Sequence, residues 1–509
     1  MKRKAINLAL TALVAGLALP PATVNAADED LVKRIEQLSK ELETLKEQVK
    51  KSSEASKEVE TLKGQVKKVE DKSLGKWLTI GGDYRFRFDS LRGEIPAYYQ
   101  YMSPTSMPAL MPSSKPTNDS LMTNRFGLNL KAKATEDVTV TSRLLMYKTT
   151  GSQTDDATNE GFFADRSSVL DGTIGHVPSD NALLVDQVFA TWSNIADLPM
   201  WFSVGRRPST GGAPTNLRQN NERPGNGGVP GLLVDYAFDG MTLGYAPDID
   251  ALPGAYAKIC YGRGFEAGYD YYNNLKDTDM VGIAVVAIDT DPIRFDFQWN
   301  RGINIFDNPN NVGEELGDID WYGLGALSTL KNVGIGNLHL FASTGMSVTH
   351  PNGKHAMMDF GSGPQDTGAG LLVNGSDTSD ETGYSAYLGM RYDLPTGTKL
   401  GAEYNYGSEY WMPFDPAADD MWTSKLGTRG NVYEAYVIQE LKLKPISSYF
   451  SKAFFRLGYQ YYDFQYTGSN NWVGAPVDIS DLSASPMNAQ MLPPLKSAHD
   501  IYATFEVKF

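Results

Sequence analysis

The sequence of 509 residues holds a single cysteine, Cys260. One thiol excludes a disulfide framework, a Cys-based zinc site and a self-encoded c-type haem attachment. Long apolar runs are lacking as well. Beyond the N-terminus the longest clean one, Gly282 to Ile288, falls far short of the ~20 residues a membrane-spanning helix needs, so a bundle of membrane helices is excluded. Positive charge is in deficit: Lys+Arg 46 against Asp+Glu 61 leaves a net −15, which argues against nucleic acid as a partner. Catalytic signatures are also missing. There is no Gly-x-Ser-x-Gly, His-Glu-x-x-His or phosphate loop. His350 and His355 flank Pro-Asn-Gly-Lys and stand too far apart in loop-like sequence for a metal site. No catalytic residue, metal or cofactor is expected, and the chain reads as a non-enzyme.

Residues 27–76 contain no aromatic and no proline, whereas all the aromatics (8 Trp, 27 Tyr, 21 Phe) follow from Trp77 onward. That shift places a domain boundary near Lys76. Residues 1–26 read as a secretory signal peptide: Lys2, Arg3 and Lys4, then an apolar stretch from Ala5 to Leu19, then Val24-Asn25-Ala26 as the cleavage signal. Residues 27–76 read as a periplasmic coiled-coil stalk. Leu31, Ile35, Leu38, Leu42, Leu45 and Val49 step by alternating fours and threes, and Val59, Leu62, Val66 and Val69 resume after a three-residue stammer. Such a seam buries itself against another helix, read as that of a second copy in a homo-oligomer, the alternative being another periplasmic partner.

From residue 77 to 509 the period becomes two. Ile501, Ala503, Phe505, Val507 and Phe509 alternate with Tyr502, Thr504, Glu506 and Lys508. Tyr84, Phe86 and Phe88 alternate with Asp83, Arg85 and Arg87; Phe295, Phe297 and Trp299 with Arg294, Asp296 and Gln298. The runs exceed the usual 5–6 residues of soluble strands and match the ~9–11 that a tilted strand needs to cross a bilayer. An exported chain with one apolar and one polar row per strand implies an all-β fold, an antiparallel transmembrane barrel in the outer membrane.

Short links at 134–137, 195–199, 246–254, 289–292, 330–337, 394–398 and 442–452 alternate with long ones at 90–120, 149–182, 208–230, 264–279, 304–319, 349–382, 408–429 and 467–498. Eight long and seven short links join sixteen strands. The apolar phase slips at Asp239-Gly240, read either as a bulge or as a hairpin turn that would make the count eighteen. The long links carry 28 acidic and 10 basic residues, so the acidity lies on the loops and the wall is close to neutral. Clusters such as Asp415, Asp419 and Asp420 lack the spacing of a calcium loop and read as solvated surface charge.

The terminal pattern Ile501 to Phe509 resembles the assembly signal of bacterial outer-membrane barrel proteins. A stalk followed by a barrel is similar to trimeric porins with a periplasmic coiled coil. The run GRRPSTGGAPTNLRQNNERPGNGGVPG from Gly205 resembles an uncharacterised porin-like family of anaerobic metal-reducing bacteria, which brings no substrate with it. These resemblances imply a passive channel for small hydrophilic solutes, a trimer, and contact with outer-membrane lipid and lipopolysaccharide. The alternatives are a scaffold or sheath for an export or electron-transfer partner and, third, a barrel hydrolase.

By strand phase the lumen is lined by a basic wall of Arg85, Arg87, Arg125, Lys131, Lys133, Arg143 and Arg207, with Asp296, Glu403, Glu434 and Glu506 among the inward acids. Such a wall favours anions unless its charges pair with neighbouring carboxylates. The long link 208–230 either lies on the surface or, by analogy with sixteen-stranded porins, enters the lumen. In the second case Arg218, Glu222 and Arg223 form the constriction.

Overall fold

A strand with one row in lipid and one in a lumen needs apolar and polar side chains in strict alternation, and the chain from Leu78 onward supplies it. The computed structural model describes residues 33–47, 77–102, 106–151, 178–208, 213–222, 232–234, 236–269, 271, 274–308, 312–359, 361, 363–415, 419–443 and 451–509. The chain divides into two units, Met1–Lys76 and Trp77–Phe509. In the first, residues 33–47 are helical. Ile35, Leu38, Leu42 and Leu45, the part of the heptad seam that is described, are all exposed on this single chain. Leu31, Val49, the seam beyond Val59 and the signal segment lie outside the described residues.

The described residues of the second unit form twenty strands: β1 (Leu78–Glu94), β2 (Tyr98–Gln100), β3 (Ala109–Met111), β4 (Thr117–Lys133), β5 (Val138–Thr149), β6 (Leu184–Ser193), β7 (Met200–Pro208), β8 (Ala237–Tyr245), β9 (Tyr256–Phe265), β10 (Thr278–Asp289), β11 (Arg294–Ile303), β12 (Gly317–Val333), β13 (Gly336–Pro351), β14 (Met357–Asp359), β15 (Pro364–Asp366), β16 (Glu381–Asp393), β17 (Thr398–Gly407), β18 (Gly430–Glu440), β19 (Lys452–Phe464) and β20 (Ser497–Lys508). The short pairs β2–β3 and β14–β15 lie within long loops. The other sixteen close into one barrel in chain order, with β20 returning to pair with β1. Closure leaves no unpaired sheet edge, as a membrane-spanning sheet requires. Short and long connections alternate around the ring as the sequence implies.

The count is sixteen and not eighteen. Asp239 and Gly240 sit inside β8, in unbroken register with Arg206 and Gly205 of β7 and with Arg263 and Gly262 of β9. Neither a bulge nor a hairpin is present. The phase slip arises because Leu232, Leu233 and Val234 precede the strand and are buried inside the barrel, so a lumen-filling segment adjoins a lipid-facing one.

The outer surface is an apolar belt. On β19 and β20, Phe455 pairs with Phe505, Leu457 with Ala503 and Tyr459 with Ile501, and Phe455, Leu457 and Ile501 are 51%, 58% and 52% exposed. At the long-loop end Tyr404, Tyr433, Tyr461 and His499 form a ladder across β17–β20, with ring centroids 5.2, 6.4 and 4.9 Å apart in turn. Aromatic rings at this height form the interfacial girdle of a transmembrane barrel. On the inner surface, rings lie over glycines of the next strand: Tyr436 over Gly401 and Tyr502 over Gly458, where an added Cβ would fall 2.1 Å from each ring carbon Cζ. Only glycine allows those two phenols to lie flat against the wall.

Candidate functional site: the barrel lumen

Two chain segments enter the bore. The first, 213–222, leaves β7 and crosses to the opposite wall. Arg391 of β16 donates to the Leu217 carbonyl at 2.6 Å, Arg456 of β19 to the Arg218 carbonyl at 2.7 Å, and Lys508 of β20 to the Gln219 carbonyl at 3.0 Å. Lys399 of β17 reaches Asn220 Oδ1 at 2.7 Å, and Asn220 donates to Glu440 Oε1 at 2.9 Å. Long basic side chains thus satisfy backbone carbonyls that would otherwise be buried without partners. The described part of this loop, 213–222, therefore enters the lumen. Arg218 is buried 2.7 Å from Asp420 and 3.0 Å from Glu434. Glu222 is exposed, and Arg223 lies outside the described residues.

The second segment, 411–415 with 419–429, follows β17. It seats Trp411, Met412, Phe414 and Leu426 against Leu232, Leu233, Trp321 and Leu371 in an apolar cluster within the barrel and its long-loop end. Phe414 N–H donates to the Leu233 carbonyl at 2.8 Å, and the two inward segments touch where Arg218 meets Asp420 at 2.7 Å. Charged anchors tie this plug to the wall, Asp419 to Arg85 and Lys425 to both Glu403 and Glu434, while Asp420 ties it to Arg218 of the first segment. Arg429, 1% exposed, donates to the carbonyls of Trp411, Thr467 and Asn471.

Two expectations are corrected by this arrangement. Asp415, Asp419 and Asp420 are buried at 1%, 6% and 2% exposure and are not solvated surface charge. The signal that marks them is the company they keep, Trp411, Met412, Phe414, Met421 and Trp422, too apolar for a loop that faces water. The lumen, in turn, is not wet throughout, because an apolar cluster and a set of buried ion pairs fill much of it.

The inward basic residues expected from strand phase fall into three groups. Arg85 and Arg87 are 2% and 3% exposed and held in ion pairs, Arg85 to Asp419 and Arg87 to Asp89 and Asp500. Arg143 of β5 spans Asp83 at 2.7 Å and Asp186 at 3.5 Å, while Arg125 of β4 stands 3.6 Å from Asp419. Arg207 of β7 donates to hydroxyls, Ser203 Oγ at 3.0 Å and Thr242 Oγ1. Lys131 and Lys133 are exposed at the end of β4 next to a short turn, away from the plug.

The inward acids are buried and coordinated. Glu434 accepts from Tyr502 at 2.6 Å, Arg218 at 3.0 Å and Gln460 at 3.1 Å. Glu403 accepts from Tyr387 and Tyr436, Glu506 from Arg456 at 2.9 Å, and Asp296 from Arg294 at 3.4 Å. Pairing between wall and plug therefore consumes much of the basic charge.

Among the described residues a cavity of about 520 Å3 stays open between β1, β4–β7, β19–β20 and the inward segments. Its charged lining comprises Arg85, Arg125, Arg143, Arg456 and Lys508 on one side of the balance, and Asp83, Asp186, Asp419 and Glu506 on the other. Among the described residues no cluster of three or more His, Cys, Asp or Glu has the form of a metal site.

A closed ring of sixteen tilted strands, an apolar outer belt and a charge-lined, loop-crossed interior together define a porin-like transmembrane β-barrel. Within that class the chain belongs to the family described as protein of unknown function (DUF3373), whose model matches residues 115–509. No curated protein matches it. Solved structures similar to it include the anion-selective porin from Comamonas acidovorans, at 10% identity and TM-score 0.42 over 85% of this chain and 99% of that one. Pseudomonas putida OprB gives 10% identity and 0.43 over 87% and 96%. Salmonella typhi OmpF in complex with daunomycin gives 10% identity and 0.41 over 84% and 97%. Likenesses this distant carry no argument about solute or activity.

Proposed function

We propose that this protein is an outer-membrane channel for small hydrophilic solutes, narrowed by its own inward segments and biased towards small anions. The observation that carries the reading is the cavity beside β1 and β4–β7, whose lining pairs five basic with four acidic side chains. In a confined lumen an excess of one positive charge acts on a passing ion with little screening. The exposed apolar belt fits lipid and lipopolysaccharide around the barrel. The heptad pattern of residues 31–70 supports a periplasmic stalk that joins protomers, with the signal segment 1–26 removed on export.

A sheath for a threaded partner is disfavoured, because the chain itself crosses the bore where such a partner would run. A hydrolase reading is not favoured by the inward serines Ser343, Ser347 and Ser385, which have no histidine or carboxylate partner among the described residues. The inward Ser347 hydroxyl donates to the Tyr410 carbonyl, and those of Ser343 and Ser385 have no partner among the described residues.

The test is reconstitution in a planar bilayer. Stepwise ohmic conductance is expected, with a reversal potential in a salt gradient that favours anions and weakens or inverts in Arg125→Glu. A folded but silent barrel would sink the channel reading. Deleting residues 31–70 should leave a folded barrel with an altered oligomeric state.

A further inference from the structure

Arg85 of β1 and Arg125 of β4 stand directly opposite each other in the strand register. Like charges at directly opposed positions repel, and here one of them is 2% exposed. An anion between or beside the two guanidinium groups relieves that repulsion. The structure supplies one from far along the chain. Asp419 Oδ1 lies 2.6 Å from Arg85 Nη2, its Oδ2 bonds Arg85 Nη1, and its Oδ1 is 3.6 Å from Arg125 Nη1. The Asp419 carbonyl accepts from Arg87 at 3.2 Å as well. The two-pronged contact with Arg85 is the geometry by which a guanidinium recognises a planar carboxylate.

This arrangement faces the 520 Å3 cavity, so the site has space in front of it. It is also not saturated: the Nε atoms of Arg85 and Arg125 are buried without a hydrogen-bond partner among the described residues. Asp419 itself is held on a loop with a positive φ of 67°, a conformation that aspartate tolerates without favouring it. A carboxylate delivered by a loop is one that can leave with the loop.

We propose that Arg85 and Arg125 form a binding site for small carboxylate solutes, and that Asp419 fills it as an internal stand-in which an entering carboxylate displaces. The proposal rests on the channel reading for the route by which the solute arrives. A tethered competitor acts at an effective concentration in the millimolar range. Free carboxylates therefore bind weakly to the native chain, and neutralising the tether relieves the competition.

The experiment is calorimetric titration of the detergent-solubilised full-length protein with succinate at fixed ionic strength. Asp419→Asn should bind succinate at least tenfold more tightly than the native chain, and adding Arg125→Gln should abolish that gain. Unchanged affinity in Asp419→Asn, a gain that survives Arg125→Gln, or binding of inorganic phosphate without succinate overturns the site. Should Asp419→Asn fail to fold, native protein and Arg125→Gln are compared in millimolar succinate; a loss of at least tenfold upholds the site and equal affinity overturns it. Bilayer recording of the native chain in potassium chloride separates the two readings. Silence with succinate binding intact sinks the channel alone, and current steps without succinate binding sink the site alone.

Discussion

Lys425 sits between Glu403 and Glu434, with all three side chains at most 3% exposed. Removing one member of such a buried group leaves uncompensated charge and costs about 3–5 kcal/mol. Lys425→Met should therefore free the plug segment and raise single-channel conductance, read in a planar bilayer, while the barrel stays closed. A second residue acts at the long-loop face. His355 bonds Asp366 Oδ2 at 3.1 Å and the Gly375 carbonyl at 2.7 Å. The Asp366 carboxylate first, then that carbonyl, hold the imidazole above its ordinary value of about 6.5. A raised histidine contributes its stability in full below the unfolded value and loses it as pH rises through the folded one. The contacts of His355 with the 352–380 loop should accordingly loosen as pH rises through the raised value. Histidine NMR titration should find His355 above its ordinary value, and Asp366→Asn should lower it. Because His355 is half-buried and Asp366 exposed, the effect is local.

At the scale of elements, the inner wall depends on glycine opposite aromatic. Gly458 lies beneath Tyr502, whose hydroxyl donates to Glu434 Oε1 at 2.6 Å. Gly458→Ala forces the ring off the wall and disturbs that bond. Overpacking of this kind costs about 1–3 kcal/mol, which should appear as a lower unfolding temperature in the heat-modifiability of the band on a denaturing gel. The strands themselves were legible in the sequence, because a period of two and the order of short and long links are local properties. What fills the barrel was not. Whether 208–230 enters the bore depends on Arg391, Arg456 and Lys508 on the far wall, and Asp419 meets Arg85 across 334 positions of sequence. Strand phase placed Arg85, Arg125 and Glu434 on the inner face. It had no means of saying that loops would neutralise them.

At the scale of the whole molecule, stability rests on the match between the outer belt and its solvent. Leu457 is 58% exposed on β19, and an arginine placed on a lipid face near the midplane costs about 2–4 kcal/mol. Leu457→Arg should lower the urea midpoint in liposomes by a corresponding amount and leave conductance intact. The ring closes through β1 and β20, with Tyr84 against Val507, Gly82 N–H donating to the Phe509 carbonyl, and Phe509 N–H to that of Gly82. That seam joins the two ends of a barrel sequence more than 400 residues long. The first strand pairs with β4 on one edge, but its other edge must wait until the last strand has been made. A helper that guards the waiting edge, or a lipid surface that holds it, becomes part of the folding problem. Loss of β20 would leave the seam open in every copy, and the failure would fall on biogenesis before it reached transport.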